Sequence, residues 1–206
     1  MEDLIILGAG VHEAEMAAMV DRVNAVKSTW RLLGCVSAKD EPTSDDNYGL
    51  KVLGGPDVLA KYGDAVCIAG NAWNVSLPVE RDRLRNLIDP TATIIPSAKL
   101  GVGCVFYPNC FVGAAAEVGD FTFALSGAII NHDDHIGRRV IFASGATLAG
   151  YVTVGDSAYL GQSCSVRQSL TIGERCLIGM GAVVITDTPA RTVWIGNPAK
   201  QLRENG

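Results

Sequence analysis

Residues 94–113 read IIPSAKLGVGCVFYPNCFVG, and a large apolar residue returns there at every sixth position, at Ile94, Leu100, Phe106 and Val112. The same spacing continues without a break to Val184. No α-helix repeats with this period, because a helical face recurs every 3.6 residues. The hexads predict a parallel β-helix, in which each hexad forms one short strand and a turn, and three hexads close a coil of about eighteen residues.

The residue four places after each large one is usually small, and we expect both to face inward and to pack against their copies in neighbouring coils. Glycine follows the large residue in many hexads, where we expect the corner to need backbone freedom. Four cysteines fall on the small position and are expected to be buried, unpaired thiols that fill space: Cys104, Cys110, Cys164 and Cys176.

About ninety residues precede the repeat, so we expect two domains, 1–90 and 91–206. Apolar runs at 4–7, 30–36 and 65–69 predict buried strands, and the segments 13–26, 57–62 and 80–87 predict helices. This order, βαβαβα, predicts a small Rossmann-like domain of the α/β class with a parallel sheet.

The first turn of this domain is Gly8-Ala9-Gly10, followed by His12. In such folds the first turn directs backbone N–H groups and a helix N-terminus at a phosphate. The full GxGxxG pattern is absent because Glu13 stands where the third glycine would be, so a dinucleotide site is not expected. Two interpretations stay open: a site for a mononucleotide or nucleotide-sugar phosphate, and a turn that is merely structural.

The net charge of −5 and the pI near 5.1 argue against general nucleic-acid binding, because no basic stripe is available to replace phosphate counterions. The chain has no run of eighteen apolar residues and no signal-peptide pattern. We therefore expect a soluble, cytoplasmic protein with neither a nucleic-acid nor a membrane partner.

Two histidines lie in the repeat, within Asn131-His132-Asp133-Asp134-His135. The eighteen-residue coil stacks His132 between Ala114 and Gly150, which leaves room beside the imidazole. A histidine with an adjacent carboxylate is well suited to be a general base, because the carboxylate fixes the tautomer and stabilises the imidazolium. The sequence therefore predicts His132 and Asp133 as a catalytic pair.

The two residues that follow have other expected roles. His135 stacks on Glu117, and this pairing is a sufficient structural explanation for it. Asp134 occupies an inward small position, where a carboxylate must be hydrogen-bonded or protonated, unless a local distortion turns it outward. A zinc site would need three histidines, and His132 and His135, three places apart, should not converge, so no metal is expected.

Several motifs together resemble the sugar acyltransferases of the sialic acid O-acetyltransferase and UDP-N-acetylbacillosamine N-acetyltransferase family, over nearly the whole chain. They are Leu7-Gly8-Ala9-Gly10, Ile88-Asp89-Pro90-Thr91-Ala92, Asn131-His132-Asp133, Ser144-Gly145-Ala146 and Gly196-Asn197-Pro198-Ala199-Lys200. The resemblance implies a left-handed β-helix, an exception to the usual right-handed crossover. It also implies a homotrimer that binds acetyl-CoA in the groove between two subunits.

The resemblance implies that His132 is the general base, oriented by Asp133, in acetyl transfer from acetyl-CoA to an amino or hydroxyl group of a nucleotide-linked sugar. The pantetheine arm would lie along the coils at Ala143, Gly145, Gly150 and Gly161, and a backbone N–H near Gly150 would stabilise the oxyanion. Lys200 and Arg203 would meet the phosphates of CoA, or would be solvated tail charges. Gly8, Ala9, Gly10 and His12 would contact the acceptor.

The chain departs from the family pattern in three places. Val11 and Glu13 replace glycines around His12, Ser37 and Ala38 stand where the second strand commonly ends in paired aspartates, and Ile141 replaces a second histidine near the thioester. These departures keep open an alternative, a non-catalytic trimeric scaffold that binds a nucleotide sugar or a partner enzyme.

Overall fold

The structure is a computed structural model that describes residues 1–38, 44, 46–70 and 79–205. It divides into two compact units, Met1–Pro90 and Thr91–Gly206. No helix among the described residues has the length and apolar character needed to cross a membrane.

The first unit is built on a three-stranded parallel sheet in which β1 is central. Its elements are β1 (Glu2–Leu7), α1 (Val11–Val26), β2 (Trp30–Val36), β3 (Asp46–Asn47), β4 (Leu50–Lys51), β5 (Val66–Ala69) and β6 (Leu87–Ile88). The strand order is β2-β1-β5, with both pairings parallel. The apolar run from Leu4 to Leu7 is fully buried, as expected for the middle strand of a covered parallel sheet.

The three predicted strands and the first predicted helix are present. The short helix predicted at 57–62 is present as a 3₁₀-helix, Pro56–Tyr62, whereas the helix predicted at 80–87 is wrong, because only Arg81–Arg83 is helical there, as a short 3₁₀-helix. Isolated helical segments of six to eight residues form too few i→i−4 hydrogen bonds to offset the cost of nucleating an α-helix. The sequence pattern therefore overestimated the helical content of this unit.

The second unit is a β-solenoid of three parallel faces. The first face contains β7 (Thr93–Ile94), β10 (Phe111–Val112), β13 (Ile129–Ile130), β16 (Thr147–Leu148), β19 (Ser165–Val166) and β22 (Val183–Val184). The second contains β8 (Lys99–Leu100), β11 (Glu117–Val118), β14 (His135–Ile136), β17 (Thr153–Val154) and β20 (Thr171–Ile172). The third contains β9 (Val105–Phe106), β12 (Phe123–Ala124), β15 (Ile141–Phe142), β18 (Tyr159–Leu160), β21 (Leu177–Ile178), β23 (Thr192–Ile195) and the antiparallel β24 (Lys200–Glu204).

Residues eighteen apart stack in register, as Phe111 on Ile129, so the solenoid has about six turns and matches a left-handed β-helix. The large hexad residues fill its axis, with Phe106, Phe142 and Leu160 fully buried. All six cysteines of the chain are buried and unpaired, including the four for which the hexads predicted this. The hexad period is therefore confirmed as the determinant of this fold.

The glycines that follow the large residues serve close packing between coils, and the predicted need for unusual backbone angles is wrong for them. Gly119 keeps a negative φ, but a Cβ added to it would lie 2.6 Å from the backbone of Gly137 in the next coil. The left-handed conformation falls two residues later, at Phe121, with φ 59°. The same corner position is left-handed in neighbouring coils, at Arg139 and Ser157.

Candidate active site

His132 and Asp133 lie in the turn between β13 and β14. Asp133 is the left-handed residue of this corner, with φ 57°, and Ala115 and Tyr151 take the same conformation one coil away on either side. The left-handed residue bends the chain sharply, so the Asp133 carboxylate lies beside the imidazole that precedes it. The solenoid corner therefore positions the pair.

The imidazole of His132 is oriented by the Asp133 carboxylate. Nδ1 lies 2.9 Å from Asp133 Oδ2, and the His132 and Asp133 side chains are 49% and 41% exposed. A carboxylate that is ionised only accepts hydrogen bonds, so a neutral imidazole beside it donates from Nδ1 and keeps a lone pair on Nε2. In that tautomer the arrangement presents a proton acceptor at a solvent-accessible position.

The imidazole of His132 lies over Gly150, in the space that a side chain at that position would fill. A Cβ added to Gly150 would lie 2.6 Å from Nε2 and 2.5 Å from Cε1 of His132, closer than carbon atoms approach in proteins. The predicted stacking of Gly150 on His132 is therefore present.

Tyr151 is a member of the site that the sequence reasoning missed. Its ring meets the imidazole edge to face, with centroids 5.1 Å apart, and its backbone N–H donates to the carbonyl of His132. The available signal in the sequence was its position eighteen residues after Asp133, which stacks it beside the turn that carries His132. An edge-to-face contact restricts rotation of the imidazole.

Asp134 is fully buried, so the outward-turned alternative is wrong. Its Oδ2 accepts a hydrogen bond from the N–H of Asn131 at 2.7 Å, and its Oδ1 accepts one from the N–H of Val152 at 2.8 Å. Burial raises the pKa of Asp134 to about 6, although the two N–H groups and the nearby His132 and His135 oppose the shift.

His135 points away from this pair. It stacks on Glu117, with Nδ1 3.7 Å from Oε2, and Glu117 also accepts a 2.7 Å hydrogen bond from Lys99. The predicted structural partner of His135 is therefore the one observed. Over the described residues, no three His, Cys, Asp or Glu side chains gather where they could hold a metal ion.

The predicted pantetheine contacts lie at two corners of the solenoid. Ala143 and Gly145 share the turn after β15, and Gly161 stacks one coil above Ala143. Gly150 lies with His132 at the next corner, across β16. Small residues thus border both edges of the first face.

The two predicted phosphate contacts are on β24 at the carboxyl end of the solenoid. Lys200 and Arg203 are both exposed. They lie on a different part of the solenoid from the turn that carries His132, and their assignment to CoA stays a prediction.

The glycine turn of the first unit is filled by its own helix. Gly10 caps α1, and Glu13 in the first helical turn is 4% exposed, with its carboxylate packed against Gly8 and Gly70 at the ends of β1 and β5. A Cβ on Gly8 would lie 2.7 Å from Oε1 of Glu13. His12 points elsewhere, with Nδ1 3.3 Å from Glu15.

No family model matches the chain, but the comparisons with individual proteins agree on one class. The chain is 33% identical to the GDP-perosamine N-acetyltransferase of Escherichia coli O157:H7 over 121 residues, which are 56% of this chain and 55% of that protein. The chain thus spans about half of the length of this curated relative.

Two solved structures match nearly the whole chain. The acetyltransferase domain of PglB from Neisseria gonorrhoeae FA1090, in complex with acetyl coenzyme A, superposes with a TM-score of 0.82 at 26% identity, covering 98% of this chain and 99% of that one. PerB from Caulobacter crescentus, in complex with CoA and GDP-perosamine, has a TM-score of 0.80 at 26% identity, covering 98% of each chain.

The fold and the relatives define a class of hexapeptide-repeat acyltransferases. More narrowly, the homologues of this chain are sugar N-acetyltransferases of that family, and solved members hold acetyl-CoA or CoA.

Proposed function

We propose that the chain is an acetyl-CoA-dependent acetyltransferase that acts on an amino group of a nucleotide-linked sugar. The observation that carries the proposal is the His132–Asp133 pair, a half-exposed imidazole held by a carboxylate at 2.9 Å and seated over Gly150. The nucleotide-sugar N-acetyltransferases among the relatives support an amino acceptor over a hydroxyl.

In the proposed reaction the acceptor amine attacks the thioester carbonyl of acetyl-CoA directly. His132 Nε2 removes the proton from the amine as the C–N bond forms, and Asp133 stabilises the resulting imidazolium. The C–S bond then breaks, and the imidazolium returns the proton to the departing thiolate of CoA. General-base assistance contributes about 10²- to 10⁴-fold, and alignment of the two substrates contributes much of the rest.

The amine must arrive unprotonated to attack, so turnover should fall as the pH is lowered. A backbone N–H near Gly150 is our candidate for the oxyanion donor.

Acetyl-CoA, the acetyl donor, would lie along the first face of the solenoid. One edge of that face is the corner that contains Ala143, Gly145 and Gly161, and the other edge is the corner that contains Gly150. Small residues there let the thin pantetheine arm approach the backbone. Lys200 and Arg203 would meet CoA phosphates. The relatives solved with acetyl-CoA or CoA support this class of donor.

The first unit would hold the acceptor, as a Rossmann-like domain with contacts from Gly8, Ala9, Gly10 and His12. The GDP-perosamine in the PerB complex supports a nucleotide-linked sugar. The buried Glu13 carboxylate fills the glycine turn, so the phosphates should lie elsewhere than in that turn.

We also propose that the chain is a homotrimer in which a neighbouring subunit completes the donor groove. Several large apolar side chains of the second unit are exposed, which supports a covered surface. They are Tyr151, Met180, Ile185, Ile195 and Leu202.

A thiol-release assay tests the proposed function. The protein is incubated with acetyl-CoA and a panel of GDP- and UDP-linked amino sugars, and free CoA is detected with a thiol reagent. We expect release that depends on one amino sugar and not on its hydroxyl analogue. Calorimetry with acetyl-CoA separates the enzyme from the scaffold alternative, because a scaffold has no reason to bind it, and absence of both binding and release would refute the proposal.

A further inference from the structure

Asp134 is a charged residue at a repeat position where the neighbouring coils carry apolar residues. At the inward small place of the same corner, neighbouring coils carry Ala116, Val152 and Leu170. Along the described solenoid, Asp134 is the only charged side chain in this inward row. A carboxylate there must take its hydrogen bonds from the backbone, since apolar side chains surround it.

One of its two hydrogen bonds replaces a bond that the neighbouring coils make within the backbone. In neighbouring coils the N–H equivalent to that of Asn131 donates to a carbonyl in the next coil, as Gly113 to Ile130 and Ala149 to Val166. The N–H of Asn131 instead donates to Asp134 Oδ2 at 2.7 Å.

The strand ladder is interrupted at the same point. β10 and β13 pair through two residues each, as do β16 and β19, whereas β13 and β16 pair only through Ile129 and Thr147. The ladder therefore ends one residue early beneath the turn that carries His132.

Both groups held by Asp134 adjoin the imidazole. Asn131 precedes His132 and accepts its backbone N–H at 2.9 Å through Oδ1. Val152 follows Tyr151, whose ring packs against the imidazole. The Asp134 carboxylate thus holds the turn that carries His132 through two backbone N–H groups, that of Asn131 in its own coil and that of Val152 in the next coil.

We propose that Asp134 is a positioning residue: by drawing the Asn131 N–H out of the ladder and holding the Val152 N–H, it sets the place of His132 over Gly150. The inference rests on the proposed role of His132 as the base. An alanine at this position, as at Ala116, would let Asn131 rejoin the ladder by donating to Leu148, and His132 would move with it.

The test compares Asp134→Ala with Thr122→Ala, which removes another buried polar side chain from an inward place at a different corner. We expect Asp134→Ala to lower kcat about 10- to 100-fold, as misplacement of a catalytic group does. The KM for acetyl-CoA should stay within about twofold and the thermal midpoint should be unchanged or higher, because replacing a buried charge by an apolar group is often neutral or stabilising. Thr122→Ala should leave kcat unchanged.

An unchanged kcat in Asp134→Ala would overturn the proposal, as would a loss of activity matched by an equal loss of folded protein. A second measurement does not depend on turnover. In histidine-ring NMR spectra, Asp134→Ala should move the His132 signal and leave that of His12, in the other unit, in place. If the wild-type protein releases no thiol, the proposed function fails, and the His132 signal still decides the positioning role: an unmoved signal refutes it.

Discussion

At the residue scale, the candidate site depends on Gly150, a residue without a side chain. Gly150 has no Cβ, and the imidazole of His132 occupies the space where a Cβ would lie. A glycine required for backbone freedom would show a positive φ, whereas Gly150 is not among the positive-φ glycines of the described chain. Its role is therefore to make room for the imidazole.

Gly150→Ala should lower kcat at least about tenfold, because the new Cβ would lie 2.5 Å from Cε1 of His132 and would push the ring out of alignment. Gly63→Ala is the matched control, since a Cβ at Gly63 meets nothing within 4 Å and its φ is −53°. Steady-state thiol release measures both. Equal loss of activity in the two variants would contradict this account of Gly150.

Asp134 also makes stability depend on pH. Its pKa is raised by burial from 3.8 to about 6, so between these values the folded state binds more protons than the unfolded state, and the free energy of unfolding falls as the pH rises. Each pKa unit corresponds to about 1.4 kcal/mol, which makes the contribution on the order of 3 kcal/mol.

Urea unfolding of the wild type and Asp134→Ala at pH 4.5 and pH 7.5 checks this contribution. The stability of the variant relative to the wild type should increase at the higher pH by about 2 kcal/mol. A difference that is the same at both pH values would show that the carboxyl is not destabilised by burial.

At the scale of elements, the strands and turns of the solenoid could be predicted, because one six-residue period determines where each strand lies, where each turn lies and which side chains face inward. The left-handed corner residues could not, because side chains as different as Phe121, Arg139 and Ser157 take that conformation. The stacking rule predicted Glu117 for His135, since both lie on strands. It did not predict the bonds of Asp134, which depend on an interrupted ladder.

For the β1–α1 turn the sequence leaves two interpretations open, a phosphate site and a merely structural turn. Glu13 changes the environment of the turn because its side chain folds back onto Gly8 and Gly70, a contact that no sequence period encodes. A carboxylate at a helix N-terminus takes the place that the helix dipole offers to a bound anion.

Glu13→Gly should therefore raise the affinity of the protein for UDP or GDP at least about tenfold, by freeing the turn for phosphate. Isothermal titration measures the affinity. Glu15→Gly is the matched control, because it makes the same change in the same helix at an exposed position. Equal affinities in the wild type and both variants would contradict a blocking role for Glu13.

At the scale of the molecule, the proposed donor groove needs a second copy of the solenoid. We expect a mass near 65 kDa by light scattering at micromolar concentration, three times the 21.7 kDa of one chain. A monomer of 21.7 kDa with full turnover would contradict the proposal that a second subunit completes the acetyl-CoA groove.

The central claim is that His132 transfers the proton in acetyl transfer. Thiol release from acetyl-CoA, measured with the preferred amino sugar for the wild type, His132→Ala and His135→Ala, tests it most directly. We predict that His132→Ala loses about 10²-fold or more in kcat, while His135→Ala, which removes the neighbouring histidine paired with Glu117, stays within about twofold of the wild type. Wild-type turnover in His132→Ala would contradict the account.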